Sequence, residues 1–357
     1  MRSPALPWVS RRDFLRLVAA IGLGGLLFLV LPLRAARAVT VISEAKEAAI
    51  GRRAHREILK QFGYLDHAAL QAYVTRVGRQ VLAASEPTGF DFLFTVVDSP
   101  IVNAFATPGG FVYVTRGLLA TLNSEAELAG VLGHEIAHVT SHHFAKAVTR
   151  GLAANILALG LAAVSPGGRE NMAGWLALSQ ALFNQIALGY SREAEIEADE
   201  KGVRAALGAN YDPRGMLAFM RSMQLHARLA GIGYHAAGAT HPETGERIDR
   251  VRVMLQVLRE DRQVDLRVLA DVYKSHLEGL AYGKRGEKKR IRIVKVRAGQ
   301  TLADLSRELW GTPRRAWDIG FLNGFTDETT PLRAGAVLKV IEDPFDLHGP
   351  IRLPDSG

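Results

Sequence analysis

The chain has 357 residues, with 44 basic and 36 acidic side chains and a formal charge of +8. That length allows two domains, or one domain with appendages, and a composition 48% hydrophobic and 22% charged excludes a mainly disordered chain. Cysteine is absent, which excludes disulfides, thiolate metal sites and cysteine nucleophiles. The charge is uneven: residues 1–38 carry +5, residues 284–297 carry +7, and −4 is left for the rest of the chain. With its basicity confined to two short segments, the body does not fit a nucleic-acid-binding protein.

Residues 10–16 read Ser-Arg-Arg-Asp-Phe-Leu-Arg, an apolar run follows over 17–33, and Ala36-Arg37-Ala38 is a small-x-small cleavage site. The run holds Gly22, Gly24, Gly25 and Pro32 and is short for a membrane span. Arg11-Arg12 with Phe14-Leu15 resembles the twin-arginine export signal. The resemblance implies that residues 1–38 are a removable leader and that the body is periplasmic. An uncleaved anchor is the alternative, and it would hold the body at the membrane surface.

Ser43 followed by Glu44 and Glu47 starts a helix that runs to about residue 62, and a second helix covers 67–84. Residues 92–97 and 111–115 are strands, with Pro108-Gly109-Gly110 as a turn before the second. A helix begins near Ser124, capped with the help of Glu127, and continues to residue 143 or beyond. Residues 151–164 and 172–188 are apolar around Ser165-Pro166-Gly167-Gly168, which suggests a buried or lid-like helical hairpin too short to cross a bilayer. Helices follow over 192–207, 213–230 and 244–258. Residues 259–289 are charged and weakly periodic, as in a linker. Residues 290–342 show a strand, helix, helix, strand order, and 343–357 form a tail.

His134-Glu135-Ile136-Ala137-His138 lies inside the helix that starts at Ser124. Histidines four residues apart project from one helix face and can hold one cation, with Glu135 beside them as a base for water. A zinc site with an open position needs a third protein ligand. Position 144 is Phe144, which excludes a third histidine in the HExxHxxGxxH arrangement. The run Glu193-Ala194-Glu195-Ile196-Glu197-Ala198-Asp199 supplies carboxylates on a later helix. Spacing puts Glu195 and Asp199 on one face, without deciding which of Glu193, Glu195 or Glu197 faces the metal.

Four stretches resemble the HtpX/BepA-like zinc metallopeptidases, the family that includes the CAAX prenyl protease. They are Asn103-Ala104-Phe105-Ala106 with Pro108-Gly109-Gly110, then Val114-Thr115-Arg116-Gly117-Leu118, then the HExxH motif, then Glu195-x-x-Ala198-Asp199. The resemblance covers about residues 42–255. It implies an α+β fold, a mainly helical zincin-type domain over 39–258 with a small sheet. It also implies one Zn2+ per chain, with His134, His138 and Glu195 as ligands, Asp199 as their acidic partner and Glu135 as general base. Family members of the HtpX type carry transmembrane helices between the two metal motifs, where this chain has only the short 151–188 segment.

The function expected is that of an exported endopeptidase acting on unfolded or misfolded envelope proteins. The alternative is a cell-wall-binding or chaperone-like protein with a structural metal site. The strand at 111–115 alternates as an edge strand would, so an extended substrate is expected to pair with it. His241, in Ala239-Thr240-His241-Pro242, is expected to bind zinc at rest or to stabilise the oxyanion. Arg247 is expected to orient that loop, to contact substrate or to be solvated, and His142 and His143 to be structural or solvated. Val296-Arg297-Ala298-Gly299-Gln300-Thr301-Leu302, Leu322-Asn323 and Leu332-x-x-Gly335 resemble a LysM glycan-binding module, which implies peptidoglycan as a partner. Gln300 stands where that module usually has Asp and Ala336 where Gln is common, and a docking role for residues 290–342 is the alternative.

Overall fold

The computed structural model describes residues 43–149, 189–229, 245–260, 265–325 and 327–343. The leader, the apolar segment 151–188, His241 and the chain beyond 343 lie outside the described residues. Among the described residues no helix is long and apolar enough to cross a membrane.

The body is mainly helical around one small sheet. Helices α1 (Glu44–Phe62) and α2 (Ala68–Ala83) precede strands β1 (Leu93–Val97), β2 (Ala104–Thr107) and β3 (Phe111–Thr115). Then come the short α3 (Arg116–Thr121) and α4 (Glu125–Thr140), buried from Glu125 to Val139. Helices α5 (Arg192–Gly208), α6 (Arg214–Leu229), α7 (Gly245–Glu260) and α8 (Ala270–Ser275) follow. The last unit is β4 (Arg290–Lys295), α9 (Leu302–Trp310), a 3-10 turn (Pro313–Arg315), α10 (Ala316–Leu322) and β5 (Val337–Glu342).

The sheet order is β1-β3-β2, with β1 parallel and β2 antiparallel to β3. This corrects the expected role of residues 111–115. Both edges of β3 are taken, so no substrate strand can pair there. Alternation suggested an edge, but four of the five β3 side chains are buried, between α1 on one face and the main core on the other. The outer edge of β1 is closed at Val96 by a side chain, because the Gln71 amide donates to Val96 O (2.8 Å) and accepts from Val96 N (2.9 Å). β2 is the outer strand packed on α4.

Helix α4 starts where the sequence pattern places it. Ser124 Oγ accepts from Glu127 N at 3.1 Å, and the Glu127 carboxylate accepts from Asn123 N at 2.9 Å. Glu125, in the first turn, is wholly buried and accepts from Tyr73 Oη (2.7 Å), Tyr211 Oη (2.6 Å) and Arg76 Nη2 (2.9 Å). Its negative charge also suits a helix N-terminus. The helix ends at Thr140, short of residue 143, because His142 takes a left-handed backbone with φ of 51°. Helical structure resumes over 143–149.

Residues 265–289 do not behave as a linker. Tyr273, Leu277 and Leu280 belong to the main core with Leu128, Leu132 and Ile136 of α4. The Tyr273 hydroxyl donates to Leu119 O at 2.7 Å. The C-terminal unit has its own core, including Val296, Leu302, Leu305, Ile319 and Leu338. Lys339 of β5 joins it to the helical body. Its side-chain nitrogen is fully buried and donates to Ala120 O (2.7 Å), Leu122 O (2.8 Å) and Thr121 O (3.4 Å), carbonyls left over where α3 ends. The basic run 284–297 is partly neutralised, with Arg285 on Asp98 and Arg297 on Glu308.

Candidate metal centre

The site forms where α4 crosses α5, and the crossing is close because both helices carry glycine there. A Cβ on Gly202 would lie 2.7 Å from His134 N, and one on Gly133 would lie 2.8 Å from Gly202 O. Helix α5 starts with Ser191 Oγ accepting from Ala194 N, which sets the phase of the following carboxylates. Of the three candidate glutamates, Glu193 is exposed, Glu197 turns toward His143, and Glu195 is 1% exposed and faces the imidazoles.

His134 Nε2 and His138 Nε2 are 3.0 Å apart, and they lie 3.5 and 3.6 Å from the two Glu195 oxygens. A tetrahedral zinc with bonds of about 2.0–2.1 Å has donor–donor edges of about 3.3 Å, so the triangle fits that ion. Two imidazoles and one carboxylate are also the donor set of a catalytic site that keeps one position open. His134, His138 and Glu195 are the group that could hold a metal among the described residues. Glu135, 2% exposed, sits in the same helical turn.

Around these donors lies a second ring of polar groups. Asp199 Oδ1 is 2.9 Å from His134 Nδ1, the nitrogen that faces away from the metal position. Arg247, from α7, is buried rather than solvated. Its Nε and Nη2 each donate to Asp199 at 2.7 Å, and its Nη1 lies 3.1 Å from Glu195 Oε2. His143 is buried too, with Nδ1 at 2.8 Å from His138 Nδ1 and Nε2 at 3.3 Å from Glu197 Oε2. The Tyr190 ring stacks on His138 with centroids 4.3 Å apart. Sequence reasoning offered Arg247 a role on the His241 loop or substrate rather than on Asp199, and gave His143 and Tyr190 no place at the site; only the Glu-x-x-Ala-Asp motif pointed toward this ring.

The electrostatics favour a cation. Burial alone would lower the His134 imidazole, but the Asp199 and Glu195 carboxylates outweigh it and raise it to about 10. Asp199 is pushed up by burial and pulled further down by Arg247 and His134, so it stays ionised. Burial, with Glu135 and Glu195 nearby, raises the Tyr190 phenol and keeps it protonated.

A buried His-Glu-x-x-His helix completed by a carboxylate from a second helix defines a metallopeptidase site. Residues 68–255, more than half of the chain, match Peptidase family M48, and the chain belongs to that family. It is similar to the mitochondrial metalloendopeptidase OMA1 of Arabidopsis thaliana, 33% identical over 56% of this chain and 39% of that protein. The OMA1 protein of Schizosaccharomyces pombe is 31% identical over 58% of this chain and 61% of its own length. The beta-barrel assembly-enhancing protease of Escherichia coli K12 is 28% identical over 56% of this chain and 42% of its own length. The chain thus spans between two fifths and three fifths of the length of these relatives.

Proposed function

We propose that the chain is a zinc-dependent endopeptidase that cuts unfolded or misfolded proteins of the cell envelope. His134, His138 and Glu195 would hold the zinc, and Asp199 would orient His134. When bound, zinc supplies a Lewis acid that acidifies water and polarises a peptide carbonyl. Glu135 takes a proton from the attacking water and hands it to the leaving amine. The observation that carries this reading is the donor triangle with a buried glutamate in the same helical turn. A site whose three ligands and base are each 5% exposed or less admits a thin, extended segment better than a folded surface, which supports unfolded substrates. The relatives named beta-barrel assembly-enhancing protease support an envelope setting.

In this proposal residues 1–38 direct export, the body works in the periplasm, and 39–258 form the peptidase. Residues 290–342 are a LysM-like unit whose first role is docking, supported by the Lys339 contacts. Retention of the full chain by purified cell-wall sacculi would add glycan binding to that role, and failure to be retained removes it.

The central test is digestion of an unfolded protein such as casein, with and without a chelator. Cleavage should stop on chelation and return with zinc. Glu135→Gln should keep one zinc and lose about 10²- to 10⁴-fold in rate. A Glu135→Gln protein that holds zinc and cleaves at the parent rate rules the mechanism out.

A further inference from the structure

His143 lies five residues beyond His138, and in an unbroken helix five residues turn the side chain about 140° away. The left-handed His142 removes that separation and brings His143 back against His138. The kink is pinned on both sides. His142 Nδ1 lies 2.8 Å from Glu47 Oε1 of α1, and Ser141 Oγ accepts from Lys201 Nζ of α5 at 3.0 Å. Lys201 also pairs with Glu197 at 2.9 Å, so α5 holds the kink and the carboxylate that faces His143 through one side chain.

We propose that His143, backed by Glu197, is a positioning residue that sets the tautomer and ring orientation of the metal ligand His138. A carboxylate only accepts, so His143 Nε2 must donate to Glu197. A neutral imidazole then accepts at Nδ1, and the partner 2.8 Å away, His138 Nδ1, must donate. That leaves the His138 Nε2 lone pair facing Glu195, where the metal position lies. The two ligands are therefore held differently. His134 is oriented by a carboxylate directly, and His138 by a carboxylate acting through a second imidazole. Ligand histidines need such a partner on the far nitrogen, and its loss weakens metal binding and not only packing.

The proposal rests on the zinc reading above, and the test separates the two. Zinc affinity of the full chain is measured by competition with a chromophoric chelator, and ligand geometry from the visible spectrum of the cobalt-substituted protein. His143→Leu is expected to bind zinc about 10- to 100-fold more weakly and to shift the cobalt bands. His143→Asn, whose amide oxygen can still accept from His138, should recover most of that loss. Glu197→Ala, on a partly exposed face, should weaken binding about tenfold, at the low end of the range. Parent-like zinc affinity in folded His143→Leu overturns the proposal. Should that variant not fold, parent-like affinity in Glu197→Ala overturns it instead. A parent chain that binds no zinc sinks the zinc reading and this proposal together.

Discussion

Replacing Arg247 with methionine tests how the buried charges of the site are balanced. The guanidinium is 3% exposed, and its charge-assisted contacts include two to Asp199 at 2.7 Å and one to Glu195 at 3.1 Å. At about 1.5 kcal/mol each, the low end for bonds to charged groups, they sum to about 4.5 kcal/mol. Removing one side of a buried ion pair costs about 3–5 kcal/mol, which agrees. Methionine keeps most of the packing volume, so the loss is mainly electrostatic. Urea denaturation of the zinc-free protein, followed by circular dichroism, should therefore show Arg247→Met less stable by about 3–5 kcal/mol. Arg247→Lys keeps the charge without the planar fork and should recover less than half of that. A solvated arginine would change stability by only about 0.5 kcal/mol. A loss below about 1 kcal/mol would refute the claim that this residue balances the site.

Two further substitutions probe how the scaffold holds the site. Gly202→Ala forces a Cβ to within 2.7 Å of His134 N, so α4 and α5 must separate. It should lose about 1–3 kcal/mol in urea melts and weaken zinc binding, and parent-like behaviour in both would mean the helices do not touch there. Glu125 is pushed up by burial but held below its ordinary 4.5 by Arg76, Tyr211 and Tyr73. A depressed carboxylate contributes stability above its unfolded value, and that contribution is lost as pH falls through the folded value. Glu125→Gln should thus be less stable than the parent near neutral pH, with the gap closing as pH falls from about 4.5. A gap that stays constant into acid would show that ionisation of Glu125 is not what stabilises α4.

Much of this site is written in local pattern. The i, i+4 histidines and the Glu195/Asp199 pair depend only on helical spacing, and Ser124 and Ser191 mark their helix starts. What spacing left open was decided by distance. Asp199 meets Arg247 across 48 positions, a contact no local window contains. His143 read as structural or solvated, one turn further along a continuous helix, because nothing in Thr140-Ser141-His142-His143 announces a left-handed residue. Strand β2 went unseen because four residues, Ala104–Thr107, are too few to show alternation, and without β2 the central β3 looked like an edge. Residues 265–289 looked like a linker because Tyr273, Leu277 and Leu280 are diluted by charges, although each is a core position.

The Lys339 side chain seated in the carbonyls at the end of α3 has a mechanical meaning. A flexible tether lets an enzyme sweep a volume set by linker length, whereas a docked unit fixes its aim. Whatever surface residues 290–342 rest on, the His134–His138–Glu195 group stands at one height and one angle above it. In the function proposed above, reach would then come from the substrate, whose loose ends would travel to the His134–His138–Glu195 group.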